Sequence, residues 1–151
     1  MASSDLTTIM TGLNTRVAAV LPTYSVLDFV YNIEKNKFNK GTSRYGIMPL
    51  DAIEVSGVTK HYTLDQRIKI VLTSGYKTDQ LADTDLSSKI KTLMDLCHDI
   101  YNDLYSNRAG SPSLVMNIHE IAIDEPIIVE TDKVVVVSMS FLLTYRRQLG
   151  I

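Results

Sequence analysis

Cysteine is almost missing from this chain: Cys97 is the only one in 151 residues. A single thiol cannot close an intramolecular disulfide, so nothing in the thiol content asks for an oxidising compartment. Cys97 stands among the apolar residues of a predicted helix, where it reads as a small buried hydrophobe rather than a reactive thiol. An excess of charge is missing too. Fifteen Lys and Arg stand against seventeen Asp and Glu, for a net charge of -2, which excludes nucleic-acid binding through the whole surface and confines any polyanion contact to a local patch. No uncharged run approaches the ~20 residues needed to span a bilayer, and Met1 to Asp5 do not form a basic region followed by an apolar run. The expectation is a soluble protein, with no membrane partner, that stays where it is made.

The motifs of common enzyme chemistry are also missing. There is no Gly-rich phosphate loop, no HExxH, no CxxC and no Gly-x-Ser-x-Gly elbow. His61, His98 and His119 fall on three different predicted elements, without metal-ligand spacing. Asp79, Asp83 and Asp85 cluster ahead of a helix, where carboxylates favour the positive end of its dipole. Asp124 and Glu125 are adjacent in an extended segment and so point to opposite faces, a poor arrangement for a general acid and base. The reading is a protein that is not an enzyme and needs no cofactor or metal.

What is present is a strong alternation of strands and helices. From Asp132 to Arg147 four consecutive valines are followed by Met139, Phe141, Leu143 and Tyr145 on one face and Ser138, Ser140, Leu142, Thr144 and Arg146 on the other. The first half, apolar on both faces, suits a central strand; the second half has a polar face that meets water or another subunit. Leu6, Ile9, Met10, Leu13, Val17 and Val20 predict a helix from about Asp5 to Leu21, capped by Ser3 or Ser4 and stopped by Pro22. Tyr24 to Glu34 reads as a strand. Lys35 to Gly46 reads as a loop holding Lys35, Lys37, Lys40 and Arg44 with no acid, interleaved with Phe38 and Tyr45, as in segments that track a nucleic-acid backbone; a solvated hairpin tip is the other reading.

Ile47 to Val58 contains Pro49 and Gly57 and is read as an edge or bulged strand. In His61 to Tyr76, Ile68, Ile70 and Leu72 point one way and Arg67, Lys69 and Val71 the other. Leu86, Ile90, Leu93, Cys97, Ile100 and Leu104 mark the strongest helix, N-capped by Asp83, Thr84 or Asp85, ended by Asn107, Gly110 and Pro112, and expected to pack on the sheet. Ser113 to Asp124 alternates with a slip near Glu120 that predicts a bulge, and Ile127 to Glu130 is a short strand turning into the last one. The fold class is α+β: a mostly antiparallel sheet packed by an N-terminal helix and one long central helix, in a single domain over 1–151 that can bury roughly 70% of its unfolded surface. Strand order is left open.

Several stretches carry a resemblance. Arg44-Tyr45-Gly46-Ile47, Thr63-Leu64-Asp65-Gln66 with Leu72-Thr73 and Tyr76, Ile123-Asp124-Glu125-Pro126, and Asp132-Lys133 leading into Val134 to Phe141 together resemble phage tail terminator (tail completion) proteins and related neck proteins, in order from Asp5 to Arg147. The resemblance implies a structural virion protein, assembled in the host cytoplasm into a homo-oligomeric ring of six. The ring caps the tail-tube protein, ends tail growth and joins the head-tail connector protein; contractile tails add the sheath protein. The lumen passes DNA without reading its sequence, so Lys35, Lys37, Lys40 and Arg44 are the lumen or partner-loop candidates. A ring needs two different complementary patches, for which Arg67 and Lys69 on one side and Asp79, Asp83 and Asp85 on the other are candidates. The alternatives are a head-completion or connector subunit of the same neck, and a small nucleic-acid-binding module using the Lys35 to Tyr45 loop.

Overall fold

A computed structural model describes residues 5–28, 31, 43–58, 61–77 and 82–148. Two α-helices pack on one face of a six-stranded, mostly antiparallel sheet. Helix α1 spans Asp5–Val20 and buries Ile9, Leu13 and Val17, one face of the expected stripe. Helix α2 spans Ala82–Asn107 and buries Leu93, Cys97, Ile100 and Leu104 against the sheet, so its heptad spacing serves packing within the chain. It starts earlier than the sequence suggests. Asp83, Thr84 and Asp85 therefore lie within its first turn rather than at the N-cap. Ser3 and Ser4, the expected caps of α1, lie outside the described residues.

The strands are β1 (Ser25–Val26), β2 (Arg44–Val58), β3 (His61–Gly75), β4 (Val115–Ile123), β5 (Ile127–Val129) and β6 (Val134–Gln148). Their order is β1-β2-β3-β6-β4, with β5 also on β6; only β1 and β2 run parallel. β6 is central as its valines indicate, paired along its whole length with β3 and on its other side with β4 and β5. Ile68, Ile70, Leu72, Val135, Val137, Met139, Phe141, Leu143 and Tyr145 form the helix-covered core.

The opposite face carries no helix among the described residues. Its Val71, Val134 and Val136 are instead covered by Leu27 and Met48, with Val129 alongside. This cover explains how β6 can be apolar on both faces at its start.

Three expectations need correction. The strand read over Tyr24 to Glu34 reduces, among the described residues, to Ser25–Val26, and the parallel ladder ends with Leu27 N–H donating to the Tyr45 carbonyl. β2 begins at Arg44, so Arg44, Tyr45 and Gly46 are strand and not loop, held by Thr73, Leu72 and Val71. β4 slips twice, near Glu120 as expected and also between Val115 and Asn117. The extra residue, Met116, is thereby turned out while Val115 and Ile118 both reach the core.

Between α2 and β4 the chain turns through a short 3-10 segment in which Arg108, Ala109 and Gly110 all have positive φ, of 46°, 55° and 73°. Arg108 and Ala109 have no glycine freedom and are held there by their surroundings. Ala109 is fully buried, and α1 approaches the turn so closely that a Cβ on Gly12 would stand 2.7 Å from the Ala109 carbonyl oxygen. Arg16 of α1 completes the joint by donating from Nε and a terminal nitrogen to the two Asp103 carboxylate oxygens at 2.9 and 2.6 Å.

Candidate functional site

The helix-free face of the sheet gathers most of the polar chemistry, because β3 and β6 place alternate side chains there in register. Ile53, Asp65, Thr144 and Asn117 stand side by side across four strands. Thr144 donates its hydroxyl to Asp65 Oδ1, and His119 Nε2 lies 3.2 Å from the same hydroxyl oxygen and 3.6 Å from Asp65. With its one proton directed at the carboxylate, Thr144 can only accept from His119. The trio ties β3, β6 and β4 together. Further along, Ser138 donates to Asp124 Oδ2 at 3.0 Å and Lys69 Nζ lies 3.8 Å from that oxygen.

Beside this strip the face turns apolar. A groove of about 310 Å³ is lined by Tyr31, Met48, Leu50, Val71, Ile127 and Val136, with Lys69 and Ser138 at its polar side. Tyr31 donates its hydroxyl to the Pro49 carbonyl at 3.0 Å and is 71% exposed, while Ile127 is 60% exposed.

The sequence reads β2 as an edge or bulged strand, and it is bulged. Among the described residues no strand lies on its outer side beyond Tyr45, and its register slips between Pro49 and Ala52 and again between Glu54 and Ser56. Gln66, 3% exposed, supports the first bulge: its Nε2 donates to the Leu50 and Asp51 carbonyls at 2.9 and 3.2 Å and contacts that of Arg67 at 3.1 Å. Past the bulge, Ile53 and Val55 are 62% and 58% exposed.

At the opposite edge, a cleft of about 350 Å³ lies between the end of α2 and the start of β4. Tyr105, Ser106, Arg108, Met116, Asn117 and Ile118 line it. Tyr101 fixes its wall: the phenol donates to the Ile118 carbonyl at 3.2 Å and the ring packs edge-on to Phe141.

The candidate residues read from the sequence are distributed as follows. Lys35, Lys37, Lys40 and Asp79 lie outside the described residues. Arg44 stands on β2 with its side chain 15% exposed, one terminal nitrogen 3.7 Å from Asp28, and Nε with no hydrogen-bond partner among the described residues. Arg67 and Lys69 share the helix-free face and are each near an acid of this chain, Asp51 at 3.4 Å and Asp124 at 3.8 Å. Asp83 is in the first turn of α2, and Asp85 accepts the Lys77 backbone N–H at 2.7 Å. Arg67 and Lys69 are therefore brought together, and Asp85 is engaged at a turn away from them. Burial pushes the Cys97 thiol up to about 12, in keeping with its packing role.

No protein-family model matches the chain, and no curated protein matches it in sequence. Among the described residues no group of three His, Cys, Asp or Glu side chains could hold a metal ion, and no helix is long and apolar enough to cross a membrane.

Proposed function

We propose that this chain is a structural subunit of a phage tail terminator ring: a homo-oligomer, by resemblance of six copies, that caps the tail tube, ends tail growth and meets the head connector. The observation that carries the reading is the sheet with helices, among the described residues, on one face only. Its other face and its two edges present apolar side chains in shallow, open surfaces suited to protein partners: Tyr31, Leu50 and Ile127 on the face, Ile53 and Val55 at one edge, and Tyr105 and Met116 at the other. The stretches that carry the family resemblance support it from another side. Arg44 to Ile47 opens β2, Thr63 to Gln66 and Leu72-Thr73 lie on β3, Ile123 to Pro126 joins β4 to β5, and Val134 to Phe141 is the core of β6.

In this reading Lys35, Lys37 and Lys40 are the candidates for the DNA channel or a neighbouring tail component, while Arg44 stands on β2 with most of its side chain buried near Asp28. The lumen's contact with DNA is electrostatic and without sequence preference. The test is a tube-growth assay with tail-tube protein of the same phage. Substoichiometric addition of this protein is expected to shorten the tubes and leave annular density at one end in negative stain. Tubes of unchanged length with bare ends would overturn the terminator role, and annuli bound only to connector would assign the ring to the head side of the neck.

A further inference from the structure

The two edges of the sheet are at the same height. Glu54 on β2, Leu64 on β3, Tyr145 on β6 and Val115 on β4 form one row straight across the sheet, so the β2 patch and the β4 cleft lie on opposite sides of the molecule at one level. Their shapes and chemistry differ in a matching way. The β2 edge carries Ile53 on the helix-free side, Glu54 on the helix-covered side in the row of Leu64 and Tyr145, and Val55 at the second bulge, all exposed. The β4 side offers a concave cleft whose Tyr105 and Met116 are 60% and 48% exposed, with the Arg108 guanidinium at its rim. Arg108 has no ion-pair partner among the described residues, and its positive φ, shared with Ala109, is a strained backbone held by the Gly12 approach.

We propose that the β2 edge of one copy docks into the Tyr105–Arg108–Met116 cleft of the next, with Glu54, on the helix-covered side of β2, meeting Arg108 and Ile53, on the other side, packing against Met116. The partner is a second copy of this chain. Because the two patches are different and lie on opposite edges, the contact is heterologous and repeats head to tail. Such a contact closes into a ring when its rotation permits. The side of β2 beyond Tyr45, which carries no strand among the described residues and so invites indiscriminate strand pairing, is thereby covered. This proposal rests on the ring reading and names the surfaces that build the ring.

The test uses two single substitutions at exposed positions, Ile53→Cys and Met116→Cys, in the chain with its buried Cys97 intact. A short bis-maleimide should join the two variants when they are mixed but join neither variant to itself, and a chain carrying both substitutions should give a ladder that stops at the ring number. As a second arm, Glu54→Arg and Arg108→Glu should each raise the concentration for half-assembly roughly five- to tenfold, with recovery in the double variant. Self-joining of Ile53→Cys alone would show a two-fold contact and overturn the proposal. So would multimers that form without any Ile53–Met116 product, which would leave the ring reading standing on another surface. A crosslinked ladder from a protein that does not affect tail-tube length would keep this interface and remove the terminator role.

Discussion

Gln66 holds an irregular edge in place. Its side-chain amide is the donor for two carbonyls released where β2 slips past β3, and it is buried while doing so. Replacing it with leucine keeps the size and leaves those carbonyls without that donor. Gln66→Leu is expected to lower unfolding free energy by about 1–3 kcal/mol in denaturant titrations. Cys97 gives a second prediction. Its folded value near 12 lies above an ordinary 9.0 because burial disfavours the thiolate. Over that window the unfolded chain loses a proton that the folded chain keeps, so the thiol's contribution to stability is full below pH 9 and declines as pH rises toward 12, by about 1.4 kcal/mol per pH unit. Unfolding of wild type against Cys97→Ala across that range should show this slope as a difference, and the native thiol should resist a maleimide at pH 8. The burial of Cys97 was legible from its place in the α2 stripe. The work of Gln66 was not, because nothing in a glutamine's neighbours announces which carbonyls a bulge will release.

The joint between α1 and the turn after α2 depends on two glycines. Gly12 lies 2.7 Å, measured from a notional Cβ, from a backbone oxygen that cannot move without moving the whole turn. Gly12→Ala is therefore expected to destabilise by about 1–3 kcal/mol, against the gain of up to ~1 kcal/mol that alanine gives in an unconstrained helix. Thermal melts of Gly12→Ala beside Ala18→Gly, on the exposed part of the same helix, separate the two effects: both variants should lose stability, the first from overlap and the second from propensity alone. Helices α1 and α2 and strands β3 and β6 were legible because their apolar periods are long and unbroken. β1 was misjudged because Val26 and Leu27 look like the start of a longer strand, whereas Leu27 turns over the sheet to cover Val71 and Val136. The second β4 bulge was missed since Met116 is apolar and fits an inward position by composition; only the shared burial of Val115 and Ile118 shows that it is turned out.

At the scale of the whole molecule, the helices among the described residues cover one face of the sheet, and the other face and the edges carry exposed apolar side chains. Sequence alone supplied the fold class and an edge or bulged β2, and the family resemblance offered Arg67 and Lys69 against Asp79, Asp83 and Asp85 as complementary patches. Folding brings Arg67 and Lys69 close to Asp51 and Asp124, acids 16 and 55 positions away in the chain, and no local pattern predicts such pairs. The pair of surfaces that the register aligns, around Ile53 and around Met116, is set by strand order, which the sequence left open. In the proposed assembly these surfaces close a ring. Its most direct test is the molar mass in solution by light scattering over a wide concentration range. A ring of six gives a plateau near six times the 16.9 kDa of one chain; a mass that stays at one or two chains at every concentration would rule the ring out.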